Sequence, residues 1–150
     1  MKIPSEPPIG HVIAYEYLWS SKARYRADGE KTYPTALLLA KTDEFGATLV
    51  YALGISHMVP PEGRRALRVP AKLCRHLGLD DRPQWIYTDE LNLFVWPGPD
   101  LRPAQWISRR PLVENTCVLG ALPKDWFEEV KQHFAESYRL RQLALTKRDQ

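Results

Sequence analysis

Two cysteines in 150 residues, with no Cys-x-x-Cys between them, are too few for a disulfide scaffold or a zinc knuckle. Cys74 and Cys117 each sit among apolar neighbours, where a small buried thiol is the ordinary role. The four histidines, His11, His57, His76 and His133, are scattered along the chain, so no metal or other cofactor is expected. Long hydrophobic runs are missing too. The longest, "TALLLA" at 35–40, falls far short of the roughly 20 residues a membrane helix needs, which excludes a helical span and argues against a membrane partner. The N-terminus, "MKIPSEPPIGHV", has no apolar h-region and is broken by prolines, so it lacks the build of a secretory signal and reads as the extended arm of a cytoplasmic protein. No Gly-x-Ser-x-Gly surrounds any serine, which disfavours acyl transfer at a nucleophile elbow. Nor is there a large excess of charge: the formal net value is +3, too small to announce a nucleic-acid binder.

What is present is a chain of single-domain length with ordinary globular composition, 44% hydrophobic and 26% charged. Its cations are clustered. Arg64, Arg65, Arg68, Lys72 and Arg75 follow one another with no acid between, and Lys22, Arg24, Arg26 and Lys31 make a looser group. Strand signals dominate the first four-fifths: "HVIAYEYLW", then "PTALLLAKT" and "ATLVYALGIS" around the turn "DEFG", then "ALRVP", "PQWIY", "LNLFVW" and "CVLGAL". A short helix is expected at "AKLCRHLGL", stopped by Gly78. A long one is expected from Pro123, with Phe127, Val130, Phe134 and Tyr138 as its apolar stripe. Runs of strands followed by a helix predict a mainly β (α+β) fold, a small, strongly bent antiparallel sheet or partly closed barrel. The expected layout is an arm at 1–9, the barrel at 10–122, the C-terminal helix at 123–146 packed on it, and a frayed tail at 147–150.

Chemistry on such a sheet belongs in its loops. "GISHM" presents Ser56 and His57 directly after a buried strand, either to meet a phosphate and move a proton or as a serine turn beside a surface histidine. In "TDELN", Glu90 and Asn92 share one face if the segment is extended, a polar pair that contacts a ligand or anchors the arginine-rich loop. In "VWPGPDL", Trp96 before Pro-Gly-Pro offers a half-exposed indole for a base to stack on, or else pins the loop to the core. If loops after alternate strands open on one rim, those carrying "ADGEKTYP", "ISHMVPPEGRR" and "WPGPDLRP" share a face. Cations beside aromatic rings are what single-stranded nucleic acid requires.

The order "IGHVIAYEYLW", "YPTALLLA", "LVYALGISHM" and "ALRVPAKLCRHLGLDDRPQWIYTDELNLFVWPGPDL" resembles the PemK/MazF toxin superfamily, from about Gly10 to Leu122 and most specifically from Leu77 to Leu101. The resemblance implies an SH3-like barrel, commonly a homodimer held in check by an antitoxin, that cleaves single-stranded RNA without metal and leaves a cyclic phosphate. It implies Ser56 as the hydroxyl at the scissile phosphate, with His57 beside it. The family's Arg-Pro pair is Tyr33-Pro34 here, and its Gly-Asp-Val is Gly10-His11-Val12. Lys31, two residues before Tyr33, would then replace the missing cation, while Arg64, Arg65, Glu90, Asn92 and Trp96 hold the RNA. The same substitutions fit a catalytically inactive module of this type that binds nucleic acid or a protein partner.

Overall fold

The computed structural model describes residues 1–111 and 114–148. In chain order the elements are β1 (His11–Tyr15), β2 (Tyr33–Thr42), β3 (Thr48–Ser56), β4 (Ala66–Arg68), α1 (Ala71–His76), β5 (Trp85–Tyr87) and β6 (Glu90–Val95). A single 3-10 turn (Ala104–Trp106), β7 (Val118–Ala121), α2 (Lys124–Arg139) and β8 (Ala144–Lys147) follow. The strands make one mainly antiparallel sheet in the order β4-β5-β3-β2-β1-β7, with β6 branching from β3 and β8 lying beyond it; its hydrogen bonds do not close into a ring. No helix among the described residues is long and apolar enough to cross a membrane.

The near-continuous apolar runs of β2 and β3 are explained by burial on both faces. Val12, Ala14, Ala36, Leu38, Leu53 and Ile55 belong to one core with the two helices. Ile13, Tyr15, Leu37, Val50, Ala52 and Phe94 belong to the other. Each large side chain so buried contributes about 1.5–3 kcal/mol. The turn between β2 and β3 is closed by Asp43, whose Oδ1 accepts the amides of Phe45 and Ala47, both at 2.9 Å. Both cysteines are free and buried.

The outer edge of β3 serves two strands. Near its C-terminal end Ile55 faces Ile86 of β5, while further back Ala52 faces Asn92 of β6. Three steps along β3 thus oppose six along its partner, and the slack around Thr88–Glu90 is looped out. That loop places two carboxylates, Asp89 and Glu90, beside Arg64.

The C-terminal expectation is corrected. α2 ends at Arg139 instead of running to 146, because Arg141 adopts a left-handed φ of 57° and turns the chain back. β8 then joins β6 in parallel, Leu91 facing Leu145 and Leu93 facing Lys147. The tail expected to fray is held as far as it is described: Arg148 donates its amide to Leu93 O at 2.9 Å and its side chain is 1% exposed. Residues 149–150 lie outside the described residues. The helix stripe also differs at its end. Val130 is fully buried and Phe127 and Phe134 pack on the core, but Tyr138 is solvent-exposed and the buried position is Ser137.

Candidate functional site

At the Ser56 end of β3 a cleft of about 350 Å³ opens between three segments. The entry to β2 supplies Lys31 and Tyr33, the end of β3 supplies Ser56 and His57, and the 3-10 turn with the stretch after it supplies Trp106 and Arg109. Asp80, just after α1, also lines the cleft. Four residues singled out in the sequence, Lys31, Tyr33, Ser56 and His57, therefore line one cavity.

Local structure explains each position. Gly78 ends α1 at a φ of 76°, and an added Cβ would run into Ser108 and Arg110. This close approach lets Arg109 N donate to Gly78 O at 2.8 Å and Ser108 Oγ to Leu77 O at 2.8 Å, which clamps the Trp106 loop against the helix end. Trp106 is left 62% exposed at the rim. Lys31 Nζ lies 5.0 Å from the centroid of the Tyr33 ring, a cation–π contact that holds the ammonium at the mouth. Among the described residues neither Lys31 nor Arg109 has a carboxylate partner. Two other loop cations, Lys22 and Arg26, are already neutralised in part, since Glu30 lies 3.9 Å from both.

His57 Nε2 and Asp80 Oδ1 are 2.8 Å apart. Burial pushes the Asp80 carboxyl up, but the bonds to His57 and to the Arg82 amide outweigh it and hold it below the ordinary carboxylate range. Asp80 is thus ionised at neutral pH and accepts a hydrogen bond from Nε2–H, which in the neutral ring leaves Nδ1 with a bare lone pair. Ser56 Oγ accepts the amide of Met58 at 3.1 Å, so its rotamer is fixed and its own proton remains to be donated. The cleft therefore holds an oriented base, a hydroxyl donor, a phenol and two cations.

A smaller depression of about 120 Å³ shares Tyr33 and Ser56 with the cleft and is bounded by Trp19, Arg64, Tyr87 and Glu90. Trp19 reaches this place because β3 has no side chain at Gly54; a Cβ there would lie 2.6 Å from Trp19 Cη2. Gly54→Ala is accordingly expected to displace the indole and destabilise the protein by about 1–3 kcal/mol, read as a lower urea midpoint. An unchanged midpoint with Trp19 fluorescence unmoved would refute this packing.

The other expected ligands lie outside the cleft itself. Arg65 turns away beneath α2, donating to Ser137 Oγ at 2.7 Å and to His133 O at 3.1 Å. Arg64 is fixed by Asp89 at 2.7 and 2.8 Å and by Glu90 at 2.8 Å. Glu90 is 2% exposed and also accepts from Ser20 and Tyr17, so it braces the first loop against the second. Asn92 is fully buried and pairs both ways with the Leu18 backbone, at 2.9 and 2.8 Å.

The open indole expected at Trp96 is corrected. The side chain is 7% exposed, lies tilted beside Phe94 and donates Nε1–H to Pro4 O at 2.9 Å. Its amide bonds Thr48 O, at the opposite end of β3 from Ser56 and about 25 Å away along an extended strand. The loop after it runs back to Tyr15 and Glu16. Only the first two of the three loops expected on one rim meet there.

Three contributors were not anticipated: Asp80, Trp106 and Arg109. Their sequence signals are two: "PAQWISRR", an aromatic and two arginines in a proline-led loop, and "LGLDDRP", acids directly after a helix stop. No protein-family model, curated protein or solved structure matches the chain, so the likeness to PemK/MazF toxins stands on the quoted motifs alone.

Proposed function

We propose that the cleft binds and cleaves single-stranded RNA without a metal, by attack of a ribose 2′-hydroxyl on the adjacent phosphate. The observation that carries this reading is the convergence of the Asp80-held His57 with Lys31, Arg109 and Ser56 in one cavity whose rim bears Trp106. In this reading His57 Nδ1 takes the 2′-hydroxyl proton, the 2′-oxygen–phosphorus bond forms, and the bond from phosphorus to the 5′-oxygen breaks. The products are a cyclic 2′,3′-phosphate and a 5′-hydroxyl, protonated on leaving by Lys31. Ser56 and Arg109 donate to the phosphoryl oxygens as charge grows on them, and Trp106 stacks a base of the bound strand. Each group acts by position, since attacker, phosphorus and leaving oxygen need only be held in line.

The same reading places the chain beside the PemK/MazF-type barrels, with a homodimer and an antitoxin protein as expected assemblies. A second reading has one observation in its favour: Tyr33 stands where the family carries arginine, which fits a module of this type that binds RNA and does not cut it. Incubating the protein with a long unstructured RNA in EDTA decides between them. Cleavage that persists in chelator and is lost in both Ser56→Ala and Lys31→Ala supports the nuclease. RNA that stays intact at high protein concentration while still being bound leaves the inactive module.

A further inference from the structure

The small depression beside the cleft has the features of a recognition pocket, and this inference rests on the RNA reading above. Its walls are aromatic: Trp19 meets Tyr33 edge-on at 5.3 Å and Tyr87 edge-on at 5.6 Å between ring centroids. Its volume of about 120 Å³ is room for about four waters, enough for one ring and too little for a whole nucleotide. Because Ser56 and Tyr33 form the partition, anything seated here lies directly next to a phosphate held at Ser56.

Arg64 gives the pocket its chemical preference. Its guanidinium lies 4.9 Å over the Tyr87 ring, and Nε and Nη2 are held by Asp89 and Glu90. Among the described residues Nη1 has no hydrogen-bond partner, so two N–H donors of an immobilised cation remain on offer. The carboxylate at the back offers little in return. Glu90 already accepts from Tyr17, from the Ser20 amide and hydroxyl, and from Arg64, which uses the lone-pair sites of both oxygens. With the Arg64 fork as its charged donor and the acceptor sites of Glu90 in use, the pocket favours a ring edge that carries carbonyl oxygen over one that carries an amino group.

The geometry points to this pocket as the subsite for the base next to the scissile phosphate, selecting the keto bases guanine and uracil over adenine and cytosine. Uracil and cytosine are the sharpest contrast, differing in keto against amino at one ring position and in the proton that follows.

The test is the affinity of the wild-type protein for 2′-O-methyl hexauridylate and hexacytidylate, neither of which can be cleaved by 2′-hydroxyl attack. The uridine hexamer is expected to bind at least about fivefold more tightly, the low end of what one good donor–acceptor match discriminates. Arg64→Lys, which keeps the charge but not the fork, is expected to bring the ratio to within about twofold. Since Arg64 also braces the fold, the wild-type ratio is decisive by itself, and Trp19 indole N–H chemical shifts give a second reading that needs no variant. Equal binding of the two hexamers, or a Trp19 resonance unmoved by a hexamer that binds, overturns the subsite and leaves the nuclease reading standing. Failure of both hexamers to bind overturns both.

Discussion

His57→Ala is expected to slow single-turnover cleavage of a single-stranded RNA in EDTA by about 10² to 10⁴, the range a positioned general base supplies. Asp80 makes the prediction sharper. The ionised carboxylate 2.8 Å from Nε2 keeps the proton on that nitrogen and Nδ1 free to act. In Asp80→Asn the amide group can turn its own N–H toward Nε2, which drives the ring proton onto Nδ1 and occupies the lone pair the reaction needs. Asp80→Asn is therefore expected to be at least as damaging as Asp80→Ala, although it is the closer replacement in shape. Both proteins should bind the uncleavable hexamers as the wild type does, because neither change touches a phosphate donor. Rates within about threefold of wild type for His57→Ala would remove the histidine from the chemistry, given the size of effect a base normally has.

The largest loss of stability is expected from Arg148→Met. This guanidinium donates to Glu16 O at 2.7 Å, Asn92 Oδ1 at 3.0 Å and Tyr15 Oη at 3.3 Å, and meets Asp100 at 3.0 Å. Burial pushes the Asp100 carboxyl up, and the arginine opposes that rise. Removing the cation leaves Asp100 only the more distant Arg102, at 3.9 Å, as counter-charge, and breaking one side of such a buried pair typically destabilises by about 3–5 kcal/mol. Urea midpoints of Arg148→Met, Asp100→Asn and the double variant test it. The double variant should lose less than the two single losses combined, because the second change no longer strands a partner. A single-variant loss under about 1 kcal/mol would mean that the pair is solvated and contributes as a surface bridge does.

Much of the sheet was legible because its signal is local. β2, β3 and the turn between them are written in adjacent residues, and so are α1 and its stop at Gly78. What escaped depends on partners far apart in sequence. "ALTK" is four residues after a helix and shows no alternation of its own; it becomes a strand only because β6 offers a free edge. Arg148 reads as part of a solvated tail until Asp100 and Asn92 are brought around it. Trp96 beside Pro-Gly-Pro looks open because its hydrogen-bond acceptor, Pro4 O, lies at the other end of the chain. In the cleft, Ser56 and His57 were visible as polar residues following a buried strand. Asp80, Trp106 and Arg109 were not, since they come from two loops distant in sequence from Ser56 and nothing in their neighbours states what they will face.

The parallel strand β8 has a further consequence. Without it, β6 would offer a row of unpaired amides flanked by Leu91 and Leu93, a template on which another chain can zip. With it, the outermost rung is only four residues long and ends in Lys147, too short and too charged to recruit a neighbour. The closing segment works as a selvedge, and its worth lies in the fibres it prevents as much as in the fold it completes.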